Sequence, residues 1–360
     1  MKITNLQLKN YRNIKSVSIA PAPGINVLYG DNAQGKTNLL ESIYVCATGR
    51  SHRTARDRDL ICVDSDAAQI KMAVDRDGLI SHVDMQIRAK GEGMKAAAID
   101  GVPITRLGDL LGITNIVIFS PEDLSLIKAG PNLRRRFMDM ELCQIYPNYY
   151  HNLRQYYRVL KQRNNLLKSL QRSGSQSDLD IWDEQLAEYG IKIMAYRRDF
   201  FIKIQNIAAQ IHADITANKE NLEIIYKKNI DENRFQERLT RGRDFDISRG
   251  TTAHGIHRDD AQVLINGRDA QKFASQGQQR TAALAMKLSE ISLIYEETNH
   301  QPVLLLDDVL SELDSGRQRY LLSKIGGLQV FLTATGIGDL ADVVDGDVLI
   351  YNVRDGELTV

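Results

Sequence analysis

The residues with the most chemical content lie near the N-terminus, where Gly30-Asp31-Asn32-Ala33-Gln34-Gly35-Lys36-Thr37 matches the pattern G-x4-G-K-T without a mismatch. Its two glycines let backbone N–H groups turn inward on phosphate oxygens, and the start of the following helix adds partial positive charge. Lys36 would reach the β and γ phosphates and Thr37 would ligate magnesium. Such a loop needs a strand before it and a helix behind it, which Ile25 to Tyr29 and the apolar-periodic Lys36 to Ala47 supply. The metal also needs a carboxylate at the end of another strand, and Val303-Leu-Leu-Leu-Asp307-Asp308 offers one. Asp307 is the expected magnesium-side group. Asp308 is expected to point across the site, where it could orient or deprotonate an attacking water. A third segment, Ser275-Gln-Gly277-Gln278-Gln-Arg280-Thr281, stands just ahead of a long helix. Ser275 and the Gly277 backbone could bind an anion there, or Ser275 could be an ordinary helix N-cap.

A second kind of chemistry is electrostatic. No acidic residue occurs from Leu142 to Ser177, whereas Arg154, Arg158, Lys161, Arg163, Lys168 and Arg172 are basic. At about 100° per residue, Arg154, Arg158, Lys161, Lys168 and Arg172 fall within an arc of about 80°. Leu160, Leu166, Leu167 and Leu170 lie opposite. Such a stripe can track nucleic-acid phosphates or simply be a solvated face. Tyr146, Tyr149, Tyr150, Tyr156 and Tyr157 could stack on bases, although packing of a helical core is the expected use. Arg134-Arg135-Arg136 could sense nucleotide or hold helices together. His254 and His257, beside Asp259 and Asp260, lack the spacing of a metal site and read as a structured turn.

The elements that must position these groups follow from periodicity. Short alternating runs (Ile3 to Leu8, Val17 to Ile19, Ile25 to Tyr29, Gln69 to Val74, Ser81 to Ile87) predict strands up to about Leu111. From Leu133 to about Ala217 the pattern predicts two long helices joined by the polar turn Ser173 to Ser177. Strands return at Leu222 to Tyr226 and Gln262 to Ile265, a helix at about Gln278 to Glu296, and strands at Val303 to Leu306, Val330 to Leu332 and Val348 to Val353. The expected fold is a mixed α/β domain with a phosphate loop, made from both chain ends with an inserted helical lobe. Its expected divisions are 1–115, 116–249 and 250–360. The 360 residues suffice for about two domains, and 46 basic against 46 acidic side chains exclude nucleic-acid binding by global charge. Cys46, Cys62 and Cys143 match neither a zinc pattern nor a disulfide framework, which suits a reducing cytoplasm. The N-terminus lacks the apolar core of a signal peptide. The longest uncharged stretch, Ser16 to Gly30, is broken by Pro21, Pro23 and Gly24 and cannot be a membrane helix.

The order of phosphate loop, long insert, Ser275 segment, acidic strand and Ser311-Glu-Leu-Asp314 resembles an SMC-type ABC ATPase head. In that resemblance Ser275, Gly277 and Gln278 stand in the signature loop, which binds the γ-phosphate held by a second protomer, and Ser311 to Asp314 form the D-loop. More specific wording is similar to the RecF family of bacterial recombination mediators: Lys9 to Ile14, Gly49 to Thr54, Phe119 to Leu124, Gly130 to Phe137, Gly255 to Asp260 and Ser275 to Thr281. These segments span nearly the whole chain. The resemblance implies binding of ATP, magnesium and gapped or junction DNA, an ATP-dependent homodimer, work with RecR and RecO, and help in loading RecA. Thr333-Ala-Thr335 stands where a switch histidine is common, Asp308 where glutamate is common, and no glutamine near Ser120 suits a Q-loop. Slow, dimer-dependent ATP hydrolysis is therefore expected. The main alternative is a phosphate-loop kinase for a small molecule, which has no use for the Ser275 segment or the D-loop. A transporter cassette and an SMC-like nuclease fit less well, lacking respectively the Q-loop glutamine and a further acidic cluster after Asp314.

Overall fold

The computed structural model describes residues 1–90, 94–173, 179–335 and 348–359, except the side chains of 172 and 173. In chain order the elements are β1 (Lys2–Tyr11), β2 (Ile14–Ile19), β3 (Ile25–Tyr29), α1 (Lys36–Thr48), β4 (Ala67–Arg76), β5 (Leu79–Arg88), β6 (Lys95–Ile99), β7 (Val102–Ile104) and β8 (Ile116–Phe119). Helices α2 (Ser125–Lys128), α3 (Pro131–Ile145), α4 (Pro147–Ser173) and α5 (Leu179–Ile215) follow. Then come β9 (Leu222–Lys227), α6 (Phe235–Arg241), α7 (Arg243–Arg249), β10 (Asp260–Ile265), β11 (Arg268–Asp269), α8 (Ala270–Phe273) and α9 (Gln276–Thr298). The chain closes with β12 (Val303–Leu306), α10 (Ser315–Lys324), β13 (Val330–Ala334), β14 (Val348–Arg354) and β15 (Glu357–Thr359).

Two compact units result: Met1–Asp123 with Glu290–Val360, and Leu124–Ser289. The first unit carries two six-stranded sheets, ordered β2-β1-β4-β5-β6-β7 and β15-β14-β3-β13-β12-β8. The first is antiparallel, and the turns Asp77-Gly78 and Asp100-Gly101 join its hairpins with positive φ at both residues, the geometry that matches strand twist. In the second, β8, β12, β13, β3 and β14 run parallel, with β15 turned back along the edge. All four residues of β12 and of β8 are buried, which explains their uninterrupted apolar sequence. Helix α1 buries Leu39, Leu40, Ile43 and Val45 in the same core as Ile3, Leu6 and Met85. At about 1.5–3 kcal/mol for each fully buried aliphatic side chain, this core is what holds the phosphate loop's flanks in place.

The sequence-based borders differ from these units. A border at 115/116 would cut β8 from its partner β12, and a border at 249/250 would cut β10 from β9, with which it pairs from Asp260↔Lys227 to Ile265↔Leu222. Strands β6 to β8 were not expected, because alanine-rich Lys95–Ile99 and four-residue Ile116–Phe119 carry too little alternation to register. The expected pair of long helices is three. Tyr146 leaves helical geometry and Pro147 opens α4 at a first position, where its missing N–H costs nothing. The anticipated polar turn falls on residues 174–177, outside those described.

In the second unit α4 lies along α5, and β9, β10 and β11 form a three-stranded sheet. Two fully buried arginines organise it. Arg163 of α4 donates to Asp183 at 2.6 Å, to Asp246 at 2.7 Å and to the Thr252 hydroxyl at 2.8 Å. Arg197 of α5 donates to Asp259 at 2.9 Å, to Asp139 at 2.8 Å and to the Ile256 carbonyl at 2.8 Å. Such pairs add little net stability over apolar packing, but removing one partner strands a buried charge. They therefore fix how α3, α4, α5 and α7 align.

Candidate nucleotide site and basic helix face

The phosphate loop connects β3 to α1, at the carboxyl ends of parallel strands where the chain leaves the sheet. Ala33 and both glycines, Gly30 and Gly35, have positive φ, so successive peptide planes curl into a concave backbone. Lys36 is 4% exposed, and its ammonium donates to the Gly30 and Asp31 carbonyls, inside the loop. Asp31 and Asn32 are exposed, and Gln34 is half-buried.

Strand order brings the distant segments together. β13 lies between β3 and β12, so Thr333, Asp307 and the loop emerge side by side. The Thr37 hydroxyl donates to Asp307 Oδ1 at 2.8 Å across 270 residues of sequence. Burial is the largest influence on Asp307 and raises its pKa, the nearby Asp308 charge adds to this, and the Thr37 and Thr333 hydroxyls oppose it. A hydroxyl beside a buried, hydrogen-bonded carboxylate is a hard-oxygen donor pair of the kind magnesium takes, so the residues present fit that ion. Magnesium bound there would offset phosphate charge.

Asp308 is held at the edge of β13. Its φ is 52°, its N–H donates to Thr333 Oγ1 at 2.8 Å, and its carboxylate shares the Thr333 hydroxyl with Asp307 at 3.1 and 3.2 Å. Main chain and side chain of Asp308 both meet the Thr333 hydroxyl of β13. Thr333 thus ties the two acids together, a role that its position in the sequence did not disclose. Also missed was a buried cluster behind α1: Arg12 forks onto Glu41 at 2.7 and 2.8 Å, and Ser51 donates to Glu41 at 2.6 Å. Burial pushes the Glu41 pKa up, but Arg12 and Ser51 outweigh it and hold the carboxyl below its ordinary range. Part of the signal was present in Lys9–Ile14 and Gly49–Thr54, which contain Arg12 and Ser51, while Glu41 lies in α1 between them.

In the second unit, Ser275 and Gln278 form a reciprocal cap on α9: Gln278 N–H donates to Ser275 Oγ at 3.3 Å, and Ser275 N–H donates to Gln278 Oε1 at 2.9 Å. Ser275 is exposed and Gly277 half-buried. After β12, Ser311 donates to the Asp308 carbonyl and Asp314 caps α10.

Arg154, Arg158, Lys161 and Lys168 are all exposed on α4, and none of them forms an ion pair among the described residues. Arg163, outside the arc, is the buried one. The Arg172 side chain lies outside the described residues. Tyr149 and Tyr156 are fully buried, in keeping with packing, whereas Tyr157 is exposed. Arg134 forks onto Asp260 at 2.8 and 2.9 Å and Arg135 donates to the Asp259 carbonyl, so both hold this unit together. Each ring nitrogen of His257 is engaged, one with the Tyr156 hydroxyl at 2.8 Å and one with the Thr252 carbonyl at 3.1 Å, which leaves none for a metal.

Residues 2–337 match the family described as RecF/RecN/SMC N terminal domain. The DNA replication and repair protein RecF of Lachnoclostridium phytofermentans is 46% identical over 99% of both chains. The chain belongs to the RecF family. The Lachnospira eligens RecF is 45% identical, again over 99% of each chain. Among solved structures, the recombination mediator protein RecF-ATP in the RecFOR pathway superposes with a TM-score of 0.92 at 37% identity, covering 99% of this chain and 96% of that one. The Smc head domain of Pyrococcus furiosus shares the fold, with a TM-score of 0.57 at 16% identity over 99% of this chain and 94% of that one. The mixed α/β head with a helical insert is therefore the fold of RecF and Smc heads.

Proposed function

We propose that this RecF-family chain is an ATP-gated DNA-binding protein of recombinational repair and replication-fork maintenance. Two copies close on gapped or junction DNA and help RecR and RecO load RecA. The observation that carries the reading is the Thr37–Asp307 hydrogen bond at 2.8 Å, which joins the phosphate loop to the acidic strand as a nucleotide–magnesium site requires. In this reading Gly30 to Thr37 cradle the phosphates, Lys36 leaves the loop carbonyls for the β and γ phosphates, and Asp307 with Thr37 holds magnesium. Asp308 is the base that takes the water's proton. Ser275, Gly277 and Gln278 of each copy complete the other's site, and Arg154, Arg158, Lys161, Lys168 and Arg172 follow the DNA backbone. Hydrolysis is slow and serves to release the dimer. Likeness to RecF proteins over the whole chain supports this over a small-molecule kinase. Three cysteines without a disulfide suit the cytoplasm, and among the described residues no helix is long and apolar enough to cross a membrane.

Sedimentation of the full chain with and without ATP and magnesium, on gapped and on blunt DNA, tests it. The expected result is a dimer only with nucleotide and a preference for gapped DNA. A monomer under all conditions, with no DNA bound, would remove the reading.

A further inference from the structure

The phosphate loop is gripped from outside by a turn that phosphate chemistry does not use. At the tip of the β14–β15 hairpin, the Asp355 N–H donates to Gln34 Oε1 at 2.6 Å and the Gly356 N–H donates to the Gln34 carbonyl at 2.9 Å. Asn13, between β1 and β2, donates to the same carbonyl at 3.0 Å and accepts from Asn38 of α1 at 2.8 Å. The packing leaves no slack. A Cβ on Gly356 would lie 2.4 Å from the Asn13 carbonyl oxygen, and one on Gly30 would lie 2.3 Å from that of Val353 in β14.

A trans peptide is planar, so its C=O and N–H point in opposite directions. Holding the Gln34 carbonyl against the hairpin therefore aims the Gly35 N–H away from the hairpin, into the concave side of the loop. We propose that the C-terminal hairpin, β14 and β15, is a positioning element of the nucleotide site, with Gln34 as the link. The hairpin sets the direction of the Gly35 N–H before nucleotide arrives, and nucleotide in turn tightens the hairpin, because coupling between two sites is reciprocal. This rests on the phosphate-loop reading given above. It assigns a role to residues Asp355 and Gly356, which lie far in sequence from the loop they hold.

The test uses the full chain, with ATP affinity from equilibrium titration in magnesium and amide hydrogen exchange with and without ATP. ATP should slow exchange at both the phosphate loop and the amides of 355 and 356. Gln34→Ala removes one acceptor and should weaken ATP about three- to ten-fold with an unchanged melting midpoint without nucleotide. Gly356→Ala should weaken it further, and the exposed Glu357→Gln on the same hairpin should bind as the native chain does. If ATP protects the phosphate loop but not 355 and 356, and Gln34→Ala binds normally, the hairpin is only an edge of the sheet and the proposal falls while the loop reading stands. Absence of ATP binding by the native chain would overturn both. Should Gly356→Ala fail to fold, Gln34→Ala and the native exchange pattern still decide.

Discussion

Thr333 carries more of the site than its size suggests, because one hydroxyl accepts the Asp308 N–H and lies within hydrogen-bond reach of two carboxylates. Thr333→Val should cost about 1 kcal/mol in thermal or denaturant unfolding, since a half-buried N–H loses its acceptor. It should also slow ATP hydrolysis by freeing Asp308, and Thr333→Ser should restore both. Equal stability and turnover in the valine variant would show that the hydroxyl is incidental. Lys36→Ala should abolish productive ATP binding, because it removes the charge that offsets the β and γ phosphates. A titration that finds native affinity would end the phosphate-loop assignment. Asp308→Asn should bind ATP and not hydrolyse it, as an amide takes no proton from water. A normal single-turnover rate in that variant would move the base elsewhere.

The helical unit separates its arginines by face. Arg163 is sealed among Asp183, Asp246 and Thr252, whereas Arg154, Arg158 and Lys161 stand in solvent. Reversing Arg154, Arg158 and Lys161 to Glu should therefore leave folding and ATP binding intact, weaken DNA binding and flatten its salt dependence by up to about one log unit per lost phosphate contact. An unchanged salt slope would make the stripe a solvated face. Acid should loosen this same unit. Burial pushes the His257 pKa down to about 4, below its value in an unfolded chain, so the unfolded state binds the proton more readily. Its contribution is then fully present above about pH 6.5 and lost as pH falls toward 4. Asp259, raised by burial against the pull of Arg197, acts in the opposite sense. His257→Gln should flatten the fall in unfolding free energy over that window, which denaturant titrations at several pH values would read directly.

At the scale of the whole molecule, the proposed function has each ATP site completed by a second copy. Specific ATPase activity should rise with protein concentration and level off once dimer saturates. Ser275→Arg should leave monomeric ATP binding nearly unchanged yet block ATP-driven dimerisation. The Ser275–Gln278 cap means that this variant also loses about 1 kcal/mol of helix capping. Ser275→Ala loses the cap and the hydroxyl without adding bulk, so the two together separate steric exclusion of the partner's phosphate from loss of the hydroxyl itself. Ultracentrifugation with ATP and magnesium, beside ATPase assays over a concentration series, gives the answer. Normal dimerisation of Ser275→Arg would reduce Ser275 to a helix cap.

The amino-acid sequence by itself determined the phosphate loop, the acidic strand, the strand–loop–helix around Lys36 and the basic arc of α4. Each of these is written in residue types at short spacing, where backbone geometry leaves one reading. The split of the helices at Pro147 and the short strands β6 to β8 were not legible, because their local patterns are weak and only their neighbours make them regular. Tertiary structure alone decided which distant residues meet. Placing β13 between β3 and β12 brings Thr333 to both aspartates, and pairing β14 with β3 delivers Asp355 and Gly356 to Gln34. The physical reason is that strand order in a parallel sheet follows from crossover packing rather than from proximity in the chain. Contacts across such crossovers therefore leave no spacing in the sequence to read.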